Sequence, residues 1–297
     1  MSALHAAVTG RPLGHSRSPL LHSTAYSLLG VDIDYTRIES GEEGAQALAQ
    51  RLRTEPGWVG LSVTMPMKQP MLEQMDSVDP VAAALGALNT VVVTPDPEGR
   101  GHATLHGLNT DVLGVSGALR AAGVDGVGPA TPLVIGAGGT AAAALAGLAE
   151  LGATSATVAV REPARAAGLV EIGARLGVSV DVISLTSVTR LGKVSVAVST
   201  LPPRAADPWA EDLAALAAPG AVLLDVAYDP WPSALGAAWE RAGGRVVHGL
   251  AMLVHQAVEQ IALFTGLEAA RSAVILGALC DAADILPDGT ARGPVAG

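Results

Sequence analysis

Short apolar runs alternate with amphipathic segments through the N-terminal third of the chain. LHAAVTG, IDYTRIE and WVGLSV have the length and alternation of strands, and the segments between them have helical periodicity. The first helix is predicted to begin at Ser18-Pro19, a capping residue followed by a first-turn proline, and to end at Gly30. Pro66 and Pro70 are expected to break the chain before a short helix around MLEQM.

The next elements complete a mixed α/β lobe. VVVT and ATLHG, separated by PDPEGR, predict a hairpin. A helix over TDVLGVSGALRAAG and a Gly- and Pro-rich stretch, VDGVGPAT, follow. We therefore expect a first lobe of residues 1–114, completed by C-terminal helices within 249–281.

Strands and helices alternate regularly over residues 115–248. Six apolar runs are separated by helical segments, one of them near residues 208–218; the runs are PLVIGAGG, SATVAVR, VSVDVIS, VSVAVSTLP, AVLLDVAY and RVVHG. Such repetition predicts a Rossmann-like, doubly wound parallel sheet. The fold class is thus two-lobed α/β, and residues 282–297 are expected to be a loose tail.

Composition excludes several classes of protein. The chain has 297 residues, 49% of them hydrophobic, and a formal net charge of −10. Nucleic-acid binders are usually basic, so none is expected as a partner. No apolar run is long enough to span a membrane, and we see no signal peptide. A single cysteine, Cys280, rules out an intramolecular disulfide, and a cytoplasmic location is expected.

A glycine-rich turn follows the strand PLVI and opens a helix. It fits the pattern G-x-G-x-x-A, in which glycines let the backbone approach a pyrophosphate at a helix N-terminus. The expected cofactor-binding residues here are Gly136, Gly138, Gly139, Thr140 and Ala141. After the next strand, Arg161 and Arg165 suit the 2′-phosphate of NADP, whereas Glu162 leaves NAD open.

The loops of the first lobe carry the candidate chemistry. Hydroxyl, amide and charged side chains stand at strand ends and helix starts: Ser16, Ser18, Ser62, Thr64, Lys68, Asn89, Asn109, Thr110 and Asp111. Only two of the 18 basic residues are lysines, Lys68 and Lys193. A lysine, unlike an arginine, can readily give up a proton. We therefore expect Lys68 to be needed as a lysine, whereas Lys193, before a strand, is explained by composition. Asp111 in isolation is better explained as a helix cap. Together these residues suit reduction of a ketone on a small polyhydroxylated acid.

An ordered set of motifs resembles the shikimate dehydrogenase family over nearly the full chain. The motifs are HSRSP, VTMPMK, GALNT, GLNTDVLG, GAGGTA, STLP, DVAYDPWPS and GLAMLVHQA. The resemblance implies a discontinuous substrate lobe, an inserted nucleotide lobe, and conversion of 3-dehydroshikimate and NADPH to shikimate and NADP.

The resemblance also implies roles for individual residues. Lys68 and Asp111 would be the catalytic pair, Ser16 and Ser18 would bind the substrate carboxylate, and Gly249 would contact the nicotinamide. The remaining substrate-binding residues would be Ser62, Thr64, Asn89, Tyr228 and Gln256. No metal is expected, and the protein is expected to be a monomer or a homodimer.

Three departures from the family pattern keep alternatives open. Ser62 stands where the family usually has Asn, and Val160 and Glu162 replace the Asn and Thr of its arginine clamp. A quinate/shikimate or aminoshikimate dehydrogenase is therefore the close alternative. A non-catalytic ligand sensor is the distant one. His255 is interpreted as a packing or capping residue rather than a catalytic acid.

Overall fold

A computed structural model describes residues 4–96, 102–127 and 131–292. The chain forms two compact units: Met1–Thr110 with Gln256–Ala283, and Asp111–His255 with Asp284–Gly297. Residues 97–100 of the expected PDPEGR turn, residues 128–130 of VDGVGPAT and the last part of the expected tail, 293–297, lie outside the described residues.

The first unit contains a six-stranded sheet and its covering helices. Its elements from the N-terminal segment are β1 Leu4–Gly10, α1 Ser18–Leu29, β2 Ile33–Glu39, α2 Ala45–Thr54, β3 Trp58–Val63, α3 Lys68–Leu72, β4 Ser77–Val78, α4 Pro80–Leu85, β5 Thr90–Thr94 and β6 Thr104–Leu108. The strand order is β2-β1-β3-β5-β6-β4. The predicted hairpin is confirmed, because β5 and β6 pair antiparallel from Thr90–Leu108 to Thr94–Thr104.

The core of this unit lies between the sheet and its helices. Strand β1 is buried through Ala6, Ala7 and Val8, which pack between neighbouring strands and helices. One close approach requires a glycine: a methyl group at Gly60 would overlap the ring of Phe264. The absence of a side chain at Gly60 therefore lets the Phe264 ring pack directly against β3.

The predicted break at Pro70 is wrong. Helix α3 runs through Pro70 and ends at Leu72, so the expected helix around MLEQM begins earlier than predicted. Pro70 is the third residue of the helix, where a backbone N–H has no intrahelical acceptor, so its missing donor costs nothing.

The second unit is a doubly wound α/β sheet, as predicted. Its elements are α5 Asp111–Ala121, β7 Leu133–Ile135, α6 Gly139–Glu150, β8 Ser155–Val160, α7 Ala167–Leu176, β9 Ser179–Ser184, β10 Val194–Ser199, α8 Ala210–Ala214, β11 Ala217–Asp225, α9 Ala234–Arg241 and β12 Arg245–His248. All described pairings in this sheet are parallel, in the order β12-β11-β10-β7-β8-β9. The order reverses between β7 and β10, and ligands of such sheets bind outside the carboxyl ends of the strands at that point.

The helix expected near residues 208–218 is shorter than predicted. Helix α8 ends at Ala214, and β11 begins at Ala217, before the Pro219-Gly220 pair. The sequence PG usually marks a turn. Here the strand absorbs it as an irregularity, because the β10–β11 register jumps from Val194–Ala217 to Val196–Val222.

Two further helices follow: α10, Gly249–Thr265, and α11, Ala273–Ala283. The unit boundary between His255 and Gln256 falls inside α10, and α11 packs on α1 in the first unit.

The tail expected to be loose is partly ordered. Ile285 and Ala291 form a β-bridge, and the His248 N–H donates to the Gly289 carbonyl at 2.8 Å. Gly289 lies so close to Val247 and Ala251 that a methyl group there would come within 2.7 Å of the Val247 side chain. Residues 284–292 therefore belong to the second unit. No helix in the described parts of the chain is long and apolar enough to cross a membrane.

Candidate functional site

The glycine-rich turn of the second unit joins β7 to α6. Gly136 has a φ of +111°, and a Cβ there would lie 2.5 Å from the Thr200 hydroxyl, so only glycine fits. Gly138 is the N-cap of α6 and makes no side-chain cap, and a Cβ there would meet no atom within 4 Å. The Ala141 N–H donates to the Gly138 carbonyl at 2.9 Å, and the open space at Gly138 leaves room for a ligand at the start of α6.

A cleft of about 290 Å³ opens at this turn. Its lining residues come from the turn and from the ends of β8 and β10: Gly136, Ala137, Gly138, Val160, Arg161, Glu162, Arg165 and Leu201. The structure thus brings Arg161 and Arg165 together with Gly136 and Gly138 around one cavity. Backbone N–H groups at a helix N-terminus and two guanidinium groups both favour phosphate. These residues fit a dinucleotide with an additional phosphate.

Three other residues of the motif build the helix rather than the cleft wall. Gly139 and Thr140 form the first turn of α6, and Ala141 is fully buried. A small residue at this position allows the helix to pack closely on the sheet. Of the predicted cofactor-binding residues on this turn, only Gly136 and Gly138 line the cavity.

A second segment of this unit follows β11. Tyr228 lies half-buried in the loop after the strand, and Gly249 begins α10 where a Cβ would overlap the Val226 carbonyl. The buried Asp225 carboxyl anchors this loop, since the Ser233 hydroxyl donates to Asp225 Oδ2 at 2.6 Å. Burial raises the pKa of Asp225. Backbone geometry therefore explains the requirement for glycine at residue 249.

In the first unit, buried polar side chains form a continuous network. The Asn89 amide nitrogen lies 3.0 Å from the Thr110 hydroxyl and 3.2 Å from Gln256 Oε1. The side-chain oxygen of Asn89, Oδ1, accepts from the Thr110 N–H and from the Thr90 hydroxyl, both at 2.7 Å. Two predicted substrate-binding residues, Asn89 and Gln256, are thus in direct contact.

Ser62 belongs to the same network. The Tyr35 hydroxyl donates to Ser62 Oγ, and Ser62 Oγ donates to Gln260 Oε1, both at 2.7 Å. Gln260 Nε2 donates to the backbone carbonyl oxygen of Asn89 at 3.1 Å and to Thr90 Oγ1 at 2.9 Å. Ser62 and Asn89 are therefore connected through Gln260.

The HSRSP loop lies between β1 and α1. Ser18 is buried at the first position of α1, and its N–H donates to Ser16 Oγ at 3.4 Å. Arg37 donates to the Ser16 carbonyl at 2.8 Å and holds the loop from β2. Ser18 opposes part of the rise that burial causes in the pKa of Tyr35, which indicates that it lies near the network.

The candidate catalytic residues occupy two helix starts. Thr64 follows β3, and its N–H donates to the Thr9 carbonyl at 2.8 Å; Lys68 is the half-buried first residue of α3. Asp111 is the buried first residue of α5 and belongs to the second unit. A partly buried lysine after a strand end is a suitable proton donor.

Three histidines are held neutral by burial. Burial lowers the pKa of His22 to about 3, and it lowers the pKa of His248 and of His255 to about 4. The His255 ring packs beside Gly117, where a Cβ would lie 2.7 Å from Nδ1. This contact supports packing as its role. Among residues 4–96, 102–127 and 131–292, no group of three or more His, Cys, Asp or Glu side chains is placed to hold a metal ion.

Sequence reasoning missed Tyr35 and Gln260. Gln260 lies one helical turn after Gln256 in a mostly apolar helix, so two amides at this spacing were the available indication. Tyr35 gave no such indication, because its partner Ser62 is distant in sequence.

The chain is similar to known proteins over most of its length. Residues 8–91 match the family model of the shikimate dehydrogenase substrate binding domain, and residues 249–275 match that of the shikimate 5′-dehydrogenase C-terminal domain. The chain is 33% identical to shikimate dehydrogenase (NADP(+)) of Sphingopyxis alaskensis, over 88% of this chain and 90% of that protein. The crystal structure of Mycobacterium tuberculosis shikimate dehydrogenase superposes with a TM-score of 0.80 at 43% identity, covering 94% of this chain and 99% of the other.

A longer relative contains a similar segment. The pentafunctional AROM polypeptide of Yarrowia lipolytica is 35% identical over 88% of this chain, which spans only 17% of that polypeptide.

Proposed function

The chain belongs to the shikimate dehydrogenase family, and on that premise we propose that it reversibly reduces 3-dehydroshikimate to shikimate with NADPH. It is an NADP-dependent oxidoreductase that acts on a small molecule. The observation that carries the choice of substrate is the convergence of Ser62, Asn89 and Gln256 in one buried network. Directed hydroxyl and amide groups suit the ring hydroxyls of a small polyhydroxylated acid.

The substrate's two ends use different residues. Ser16 and Ser18 would hold the carboxylate from the start of α1. Tyr228 is a further proposed substrate-binding residue. Thr64, with Ser62, Asn89 and Gln256, would hold the ring hydroxyls. Hydrogen bonds to a buried polar site give strong discrimination, because an analogue without the matching hydroxyl leaves a protein group unpaired.

The cofactor residues divide by chemistry. Gly136 and Gly138 leave room for the pyrophosphate, Gly139, Thr140 and Ala141 form the helix start behind it, and Arg161 and Arg165 would bind the 2′-phosphate. Gly249 would face the nicotinamide ring. When bound, NADPH supplies the hydride that reduces the ketone carbon.

Proton transfer is assigned to the first unit's lysine. Lys68 would give its proton to the oxygen that becomes the alcohol, and water would restore that proton. Asp111 would be the second member of the catalytic pair. In the reverse direction Lys68, as the neutral amine, takes the proton from the alcohol.

The test is an absorbance assay at 340 nm, an NADPH wavelength, with shikimate or quinate and NADP or NAD in all four combinations. We expect shikimate with NADP to be fastest. Faster turnover of quinate, or faster turnover with NAD, would change the substrate or the cofactor while keeping the fold and the chemistry. Tight binding of shikimate without turnover would favour the sensor alternative.

We further propose a cytoplasmic location and a monomeric or homodimeric state. The single cysteine accords with a reducing compartment. Light scattering of the purified protein would distinguish the two oligomeric states.

A further inference from the structure

Gln260 connects four neighbours at the centre of the first unit's network. Its Oε1 lies 2.7 Å from Ser62 Oγ and 3.4 Å from His22 Nε2. Its Nε2 lies 3.1 Å from the Asn89 carbonyl oxygen and 2.9 Å from Thr90 Oγ1. The side chain is buried, with 1% of the residue exposed, so these neighbours determine its hydrogen bonding.

The orientation of the Gln260 amide is fixed by one of these neighbours. A backbone carbonyl oxygen can only accept, so the nitrogen of Gln260 must face Asn89. The oxygen of Gln260 must then face Ser62 and His22, and it too can only accept.

This orientation determines which acceptor receives the hydrogen of the Ser62 hydroxyl. Ser62 has one hydrogen, and it is donated to Gln260 Oε1. The Tyr35 hydroxyl must then donate to Ser62 Oγ, which uses one of its two lone pairs. Toward a ligand, Ser62 therefore offers a lone pair and no hydrogen.

We propose that Gln260 is a positioning residue that turns Ser62 into an acceptor, so that Ser62 selects a ring hydroxyl that donates. The proposal rests on the proposed function, because it takes Ser62 as a substrate-binding residue. It adds a specificity determinant four residues beyond Gln256 on the same helix. Ser62 lies on β3 and Gln260 lies on α10, and their buried side chains form a hydrogen-bonded pair.

The first experiment compares Gln260→Met, Ser62→Ala and the double variant by shikimate KM, kcat and NADP KM. Gln260→Met keeps the side-chain length and removes every hydrogen bond of the amide. We expect the shikimate KM to rise about tenfold, the loss that corresponds to about 1.4 kcal/mol, with kcat and NADP KM nearly unchanged. Gln50→Met, on the exposed face of α2, is the matched control and should leave all three constants unchanged.

The double variant separates positioning from general damage. If Gln260 acts through Ser62, Gln260→Met should add little to the shikimate KM once Ser62 is alanine. Additive effects, or an unchanged shikimate KM in a folded Gln260→Met protein, would overturn the proposal. Absence of shikimate turnover in the wild type would instead overturn the proposed function, and this inference with it.

A second measurement uses only the wild-type protein, in case the variants fail to fold. Each ring hydroxyl that is not oxidised is replaced in turn by hydrogen and by fluorine, which accepts but does not donate. At the ring position that faces Ser62, the fluorinated analogue should bind no better than the deoxygenated one. Recovery of affinity by fluorine at every position would contradict an acceptor role for Ser62.

Discussion

The candidate site in the first unit is built from side chains, whereas the glycine cradle in the second unit is built from backbone. In the first unit, Ser62, Asn89 and Gln256 are held by hydrogen bonds between side chains, with Gln260 and Tyr35 joining them. In the second unit, the cradle at Gly136 and Gly138 is backbone, and its shape depends on the absence of side chains.

This difference predicts how far a substitution reaches. In a network of buried side chains, removing one partner leaves others unpaired, so the cost extends beyond the altered residue. In the glycine cradle, an added methyl group affects only the space that it fills and the atoms next to it. The contrast can be tested at Lys68, at Gly138 and Gly136, and at His22.

The largest effect is expected at Lys68. Lys68→Ala removes the proposed proton donor and should lower kcat by about 10²–10⁴-fold, the usual contribution of a general acid. Circular dichroism and thermal melting should show a folded protein, because Lys68 is only half-buried at the start of α3.

The other lysine is the matched control. Lys193 is exposed and donates to the Ala215 carbonyl at 2.8 Å. Lys193→Ala should keep nearly full turnover. If Lys68→Ala also turned over at a near-normal rate, Lys68 would lose its catalytic assignment.

Two glycines of the cradle should respond differently to the same substitution. Gly138→Ala adds a methyl group to open space on an extended backbone, so the melting temperature should hold. The methyl would occupy the place proposed for the pyrophosphate, and the NADP KM should rise on the order of tenfold, about 1.4 kcal/mol. Gly136→Ala places its methyl against the Thr200 hydroxyl at a positive φ, so it should destabilise the fold itself by roughly 1–3 kcal/mol.

Kinetics and thermal melting of both variants check this pair. A normal NADP KM in Gly138→Ala would remove the pyrophosphate from this cradle. An unchanged melting temperature in Gly136→Ala would show that the turn relaxes around the methyl group.

The contrast also explains which features could be predicted from sequence. The glycine cradle is local: the strand, the turn and the helix are adjacent along the chain, so the motif carries the geometry. The contacts of Gln260 are not local, since they reach Ser62, Asn89 and His22 across most of the first unit. Sequence periodicity predicts the helix that carries Gln260, but not the strand residues that it contacts.

The same distinction accounts for the errors in the predicted fold. Pro219-Gly220 is typical of a turn, yet strand pairing with β10 draws it into β11 as an irregularity. Residues 284–292 have the composition of a loose end, yet the pairing of His248 with Gly289 holds them on the second unit. In both cases a tertiary contact overrides the local preference.

The final effect is a pH dependence of stability in the first unit. His22 is fully buried; its Nδ1 faces the Tyr26 hydroxyl at 3.0 Å and its Nε2 faces Gln260. Burial lowers the pKa of His22 from 6.5 to about 3. Because the folded pKa lies below the unfolded one, the unfolded chain binds the proton first as pH falls. The stabilisation is therefore complete above pH 6.5 and is lost as pH falls toward 3.

Urea unfolding at pH 7, 6 and 5 measures this loss. Below pH 6.5 the contribution of His22 should fall by about 1.4 kcal/mol per pH unit. The glutamine of His22→Gln keeps a donor and an acceptor and cannot titrate. As the pH falls below 6.5, the free energy of unfolding of this variant should therefore decrease by about 1.4 kcal/mol per pH unit less than that of the wild type. His102→Gln, on an exposed segment, should follow the wild-type slope. Equal slopes for His22→Gln and the wild type would mean that His22 takes up a proton in the folded protein, and the network around Gln260 would then have to be redrawn with a charged ring.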